Sequence, residues 1–108
     1  MAWNTATTEK AIADATELML GGDGLRVFGV WPVSGGFVIS GEYRETGMQA
    51  LVPFMLVERA QRGEPLPMLE RIDYDFRLMM RDADRRSEKL HSELHTPGNE
   101  AVSLEKKA

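Results

Sequence analysis

The chain has 108 residues, 43% of them hydrophobic and 28% charged, with a formal net charge of −4. That length is one ordinary domain, and that apolar share excludes a disordered chain, whose hydrophobic content is too low to offset its conformational entropy. The acidic excess falls equally on the two sides of residue 63, which argues against a nucleic-acid binder, in need of a basic excess, and against a nucleic-acid mimic, in need of a dense acidic face.

With no cysteine, neither a disulfide nor a thiolate metal site is available. The fold therefore does not depend on an oxidising compartment, and the cytoplasm is the expected location. No stretch approaches the roughly 20 apolar residues that cross a bilayer, and no basic segment followed by an apolar run opens the sequence, so neither membrane insertion nor export is expected. Seven methionines suit an adaptable interior or a protein-binding surface, because unbranched thioethers fill irregular gaps.

Residues 5–20 place Ala11, Ile12, Ala15, Leu18 and Met19 at helical spacing, with Asn4, Thr5 or Thr7 as N-cap and Gly21-Gly22 as the stop. After the Asp23-Gly24 turn, Leu25–Trp31 and Phe37–Tyr43 are rich in β-branched and aromatic residues. They flank Pro32-Val33-Ser34-Gly35-Gly36, which predicts a β-hairpin. Met48–Leu56 is apolar enough for a helix, but Pro53 inside it would clash with the carbonyl four residues earlier. Dividing the segment at the proline gives a third strand, Met48–Val52, joined to the second by Glu45-Thr46-Gly47. A helix then starts with Pro53 at its first position and runs to about Arg62, where Gly63 ends it.

Glu64-Pro65-Leu66-Pro67 reads as a rigid connection, since each proline disfavours helix in the residue before it. From Met68 to about Leu94 nothing interrupts a long helix. The predicted fold is α+β: an N-terminal helix, a three-stranded antiparallel β-meander, a short helix and a long C-terminal helix. It forms one domain over residues 1–95, and the polar segment 96–108, with Pro97 and Gly98, is expected to be a disordered tail.

In the long helix, Leu69, Ile72, Phe76, Met79, Ala83 and Leu90 fall on alternating steps of three and four, the spacing of an apolar seam that faces a partner helix. Arg86 and Glu93 occupy later seam positions, which confines strong packing to the first half. The alternative use of this face is to cover the sheet. Length favours a partner: about 26 residues span roughly 39 Å, whereas a compact 100-residue domain is only about 33 Å across. The overhang carrying Leu90 and Leu94 points to another chain, and the expected first partner is a second copy.

Arg77, Arg81, Arg85 and Lys89 recur every four residues as a basic stripe. Arginine forks at that spacing suit a phosphate or carboxylate. Asp73, Asp84 and Glu88 stand three or four residues from Arg77, Arg81 and Arg85, so a solvated face of neutralised pairs is the competing reading and the favoured one. If a phosphorylated small molecule binds, Trp31 and Tyr43 meeting an arginine of the stripe at a subunit interface is the expected place; the aromatic residues otherwise serve as core or sheet face.

The remaining signals are weaker. His91 and His95 stand one helical turn apart, but lack a third ligand and the glutamate next to the first histidine. The serines have no histidine outside the end of the last helix and no nucleophile elbow. Asp73 and Asp75, two apart on a helix, point to different faces. Ser34-Gly35-Gly36 lacks the lysine and the following helix of a phosphate loop. No catalytic residue, metal or cofactor is assigned. The expected function is that of a non-catalytic homo-oligomer that binds or inhibits another macromolecule, a role common among small acidic regulators of phages and mobile elements. The alternative is a module that sequesters or senses a phosphorylated small molecule.

Overall fold

The computed structural model describes residues 4–94, with side chains to Leu90. The His91 and His95 pair, the side chain of Leu94 and the polar segment from Thr96 lie outside the described residues. The element order is α1 (Thr5–Leu20), a 3-10 turn (Gly21–Asp23), β1 (Arg26–Val33), β2 (Gly36–Tyr43), β3 (Thr46–Pro53), α2 (Phe54–Gln61) and α3 (Leu66–Leu94). This is the α+β arrangement expected from the sequence, and among the described residues no helix is long and apolar enough to cross a membrane.

Helix α1 starts where its cap dictates, the side-chain oxygen of Asn4 accepting the Thr7 N–H at 3.0 Å. Its buried stripe is Thr8, Ile12, Thr16 and Leu20. The stripe thus includes two threonines and leaves out the expected Ala11 and Leu18, both exposed, Leu18 at 88%. The threonines can be buried because their hydroxyls are satisfied: Thr16 donates to the Ile12 carbonyl at 2.8 Å and Thr8 accepts from Gln61 at 3.2 Å.

The strands form one antiparallel sheet in the order β1-β2-β3. Each is longer than expected, because the connections shrink to two residues, Ser34-Gly35 and Arg44-Glu45. A bulge between Val27 and Gly29 shifts the β1 register and turns Phe28 and Trp31 to the same side of the sheet. Gly36 is required by close approach, since a Cβ there would stand 2.1 Å from the Val52 carbonyl oxygen.

Pro53 caps α2 instead of occupying its first turn, and Phe54 packs edge-on against Phe37 with ring centroids 5.5 Å apart. Helix α3 begins at Leu66, two residues before the expected start, with Pro67 inside its first turn. A proline there removes no intrahelical bond, because the first N–H groups of a helix have no partner. The backbone is picked up at once, Leu69 donating to the Pro65 carbonyl at 3.0 Å.

Both long helices lie on one face of the sheet, α1 against β1 and α3 against β3, with α2 against α3. Phe37, Ile39, Met48, Ala50 and Val52 from the sheet meet Ile12 and Leu20 of α1 and Met68, Ile72, Phe76, Met80 and Ala83 of α3 in a single core. Of the six residues expected to face a second copy, Ile72, Phe76 and Ala83 are therefore buried within their own chain, and Leu69 and Met79 pack against that core. That expectation is corrected: the sheet takes the seam. Leu90 alone stays open, at 58% exposure.

Phe76 has no exposed surface, so Phe76→Ala is expected to cost about 3–5 kcal/mol, whereas Leu18→Ala should stay within about 0.5 kcal/mol. Urea denaturation of the two variants measures the difference; equal losses would contradict this placement of the core.

Candidate functional site

The β2–β3 turn holds backbone strain. Arg44 and Glu45 both have positive φ, 50° and 65°, the type I′ geometry that asparagine and glycine ordinarily provide. Each non-glycine residue in that region costs on the order of 1 kcal/mol or more. Asp84 of α3 holds the turn in place. One of its oxygens accepts the Arg44 guanidinium at 2.7 Å and the Tyr43 hydroxyl at 2.8 Å.

Those bonds set the protonation of the group. Arg44, followed by the Tyr43 hydroxyl, holds the Asp84 carboxyl below the ordinary carboxylate range. The bond to Asp84, aided by desolvation, pushes the Tyr43 phenol up. Asp84 is thus kept ionised and Tyr43 kept protonated, an acceptor and a donor locked together. Neither is poised to move a proton near neutrality.

Beside this clamp is a cavity of about 390 Å³ lined by Asp23, Tyr43, Arg77, Met80, Arg81 and Asp84. It brings together Tyr43, Arg77 and Arg81 of the anticipated anion site. Arg77 is neutralised on two sides, by Asp73 at 2.8 Å and by Asp23 of the 3-10 turn at 2.9 Å, and both aspartates raise its pKa. The i,i+4 pair with Asp73 is the one the sequence anticipated; the bond to Asp23, 54 residues away, is not readable from local spacing.

The expected Asp84–Arg81 and Glu88–Arg85 pairs are not formed. Asp84 is committed to the turn, and among the described residues Arg81 and Arg85 join no ion pair or side-chain hydrogen bond. Arg85 stands outside the cavity, in the groove that Arg81 shares with Leu78, Met79 and Asp82. With Asp23 and Asp84 facing the same space as Arg77 and Arg81, the cavity offers a phosphate one uncompensated guanidinium, not a fork of several.

Trp31 is not part of this site. It pairs with Val38, whereas Tyr43 belongs with Phe37 and Ile39 on the helix-covered side. The two aromatic residues lie on opposite faces of the sheet, because strand residues alternate in direction and the bulge resets the alternation in β1. Asp73 and Asp75 are separated as expected, Asp73 bonding Arg77 and Asp75 bonding Arg71 at 3.0 Å.

The face with Trp31 carries an exposed apolar row. The register places Trp31, Val38 and Leu51 side by side across all three strands; Trp31 and Leu51 are each 41% exposed. Phe28 extends the patch, with the Arg26 guanidinium 5.3 Å from its ring centre and bonded to Glu42 at 3.1 Å. Among the described residues no helix covers this face. The patch escaped the sequence reading because it depends on register and on the bulge, which no single strand reveals.

Comparison with protein families, with curated proteins and with solved structures finds no match to this chain.

The clamp generates a prediction with a definite sign. The Asp84 pKa is lower in the folded chain than in the unfolded one, so its stabilisation is fully present above the unfolded value and disappears as pH falls through the depressed value. Tyr43 is the reverse case, its stabilisation present below the unfolded value near pH 10 and lost as pH rises through the elevated one. Asp84→Asn should lower Tm at neutral pH and flatten the decline of Tm below about pH 4. Thermal melts from acid to neutral pH test this, and an acid profile identical to that of the wild type would contradict the clamp.

Proposed function

We propose that this protein is a non-catalytic interaction protein that associates with itself and binds or inhibits another macromolecule through the uncovered face of its sheet. The observation that carries the reading is the row of Trp31, Val38 and Leu51 across three strands, extended by Phe28, on the side that faces no helix among the described residues. Scattered exposed apolar residues need no explanation, but a contiguous patch with a polar rim marks interaction sites in soluble domains. Arg26 and Glu42 supply the rim here. Aromatic anchors flanked by arginine have the composition of interface hot spots.

Two further features favour association over catalysis. Asp84, Tyr43 and Arg77, the groups in the cavity with shifted titration, are all shifted away from neutrality, and Asp84 and Tyr43 are engaged with each other. The last turns of α3 also extend past the body: side chains from Arg85 to Leu90 are all exposed, and Arg85–Leu94 adds about 15 Å of helix beyond the Asp84 bonds. The cysteine-free composition suits a reducing compartment such as the cytoplasm.

The test pairs affinity capture from native cell extract with light scattering. Wild-type protein is expected to retain a stoichiometric partner, and the double variant Phe28→Ser, Trp31→Ser, folded by circular dichroism, is expected to lose it. Scattering at roughly 10–300 µM, the range of weak homodimers, should give a mass above that of one chain. Capture that survives the double substitution contradicts the assigned face, and a strict monomer throughout contradicts self-association.

A further inference from the structure

The two edges of the sheet are built differently. Strand β1 carries the devices that prevent edge pairing: a bulge between Val27 and Gly29, the charged Arg26, and Pro32. Strand β3, Thr46–Pro53, has no charged residue, keeps regular register with β2 over its whole length and has its proline only at the end.

The direction of the β3 backbone follows from its turn. A type I′ turn closes with a bond from the Thr46 N–H to the Tyr43 carbonyl, and bonded and non-bonded pairs then alternate. Met48, Ala50 and Val52 therefore bond toward β2, while Gly47, Gln49 and Leu51 direct their N–H and C=O outward. Among the described residues no other segment bonds those main-chain groups. A groove of about 260 Å³ runs beside them, between Gln49, Ala50 and Leu51 and the α3 residues Arg71, Asp75, Leu78 and Met79.

We infer that two copies of the chain pair antiparallel through the free edge of β3 and the adjoining flank of α3, merging their sheets into one of six strands. This rests on the self-association proposed above and names its surface. A two-fold axis makes an interface in which the same patch meets itself, and both layers must accept the same axis. In the sheet the outward groups centre on Gln49. In the helix layer the level is fixed by Asp84, which is bonded to the β2–β3 turn. Three strand residues from Thr46 to Gln49 advance about 10 Å, and six helical residues from Asp84 back to Leu78 advance about 9 Å. Leu78, 49% exposed, is therefore level with Gln49, and the shared groove places them together.

One opposite-charge pair falls on that axis, and Arg71 falls level with the partner's Arg85, a like-charge pair that keeps the contact weak. Asp75 and Arg81 stand three residues on either side of Leu78, so two antiparallel copies of α3 meeting at Leu78 set Asp75 of each against Arg81 of the other. Among the described residues Arg81 is one of the cations left without an ion pair within the chain, and the partner's Asp75, bonded to Arg71 of its own helix at 3.0 Å, supplies it a carboxylate. The edge is about 26 Å long and the two layers about 20 Å deep, a footprint on the order of 500 Å². Standard interfaces bury about 800 Å² per partner. The dimer is accordingly weak and concentration-dependent.

Sedimentation velocity from roughly 5 to 500 µM tests the assignment. Wild type should shift from monomer to dimer. Arg81→Asp, an exposed substitution that leaves the core untouched, should raise the dimer Kd about tenfold, and adding Asp75→Arg should return it to within about threefold of wild type. Gln49→Pro, which removes an outward N–H but no β2 bond, should weaken the dimer at least about tenfold. Trp31→Ser should leave it unchanged. A wild-type dimer indifferent to Arg81→Asp overturns the assignment even if Gln49→Pro fails to fold, and so does a dimer abolished by Trp31→Ser; in both cases self-association itself stands. A wild type that remains monomeric overturns both.

Discussion

The packing of one stripe of α3 on one face of a three-stranded sheet constrains everything else in this molecule. Ile72 and Phe76 have no exposed surface, and they contact the only sheet face that α1 also covers. Among the described residues, three strands, two long helices and a single core leave no helix for the reverse side. The apolar stripe of α3 is spent inside the chain, so contacts with other molecules fall to what the packing leaves open: the reverse face of the sheet, the β3 edge and the outer flank of α3.

The same packing explains where the chain tolerates strain. Arg44 and Glu45 adopt a turn geometry that neither residue favours, and α3 is held where Asp84 can bond both Arg44 and Tyr43. Committing Asp84 to the turn leaves Arg81 without the neighbour that helical spacing provides. An energetic requirement at the end of a hairpin thus creates an unpaired cation on a helix flank, and that cation is central to the dimer inferred from the edge of β3.

Much of the fold was legible because its signals are local. The Asn4 cap, the glycines after Leu20, the alternation around Phe37 and Ile39 and the break at Pro53 each act within a few residues, and each element formed within about two residues of where they placed it. What could not be read depends on distant groups. Thr16 counts as polar until its hydroxyl is matched to the Ile12 carbonyl. The seam through Ile72, Phe76 and Ala83 fits a partner helix or a sheet equally well, since spacings of 3.5 and 3.6 diverge too little over a few turns to choose between them. Three of the five residues of the anticipated anion site assembled, Tyr43 with Arg77 and Arg81. Trp31 did not join it, because one bulged residue in β1 reverses which side faces the helices.

The most direct test of the account is amide hydrogen exchange of the wild-type chain at two concentrations, below and well above the dimer Kd, read at single-residue resolution. If the β3 edge is the self-association surface, the outward amides of Gly47, Gln49 and Leu51 gain protection at the higher concentration. Their neighbours Met48, Ala50 and Val52, already bonded to β2, and the amides of β1 change little. Equal, fast exchange of Gly47, Gln49 and Leu51 at both concentrations, in a protein that nonetheless dimerises, would contradict it.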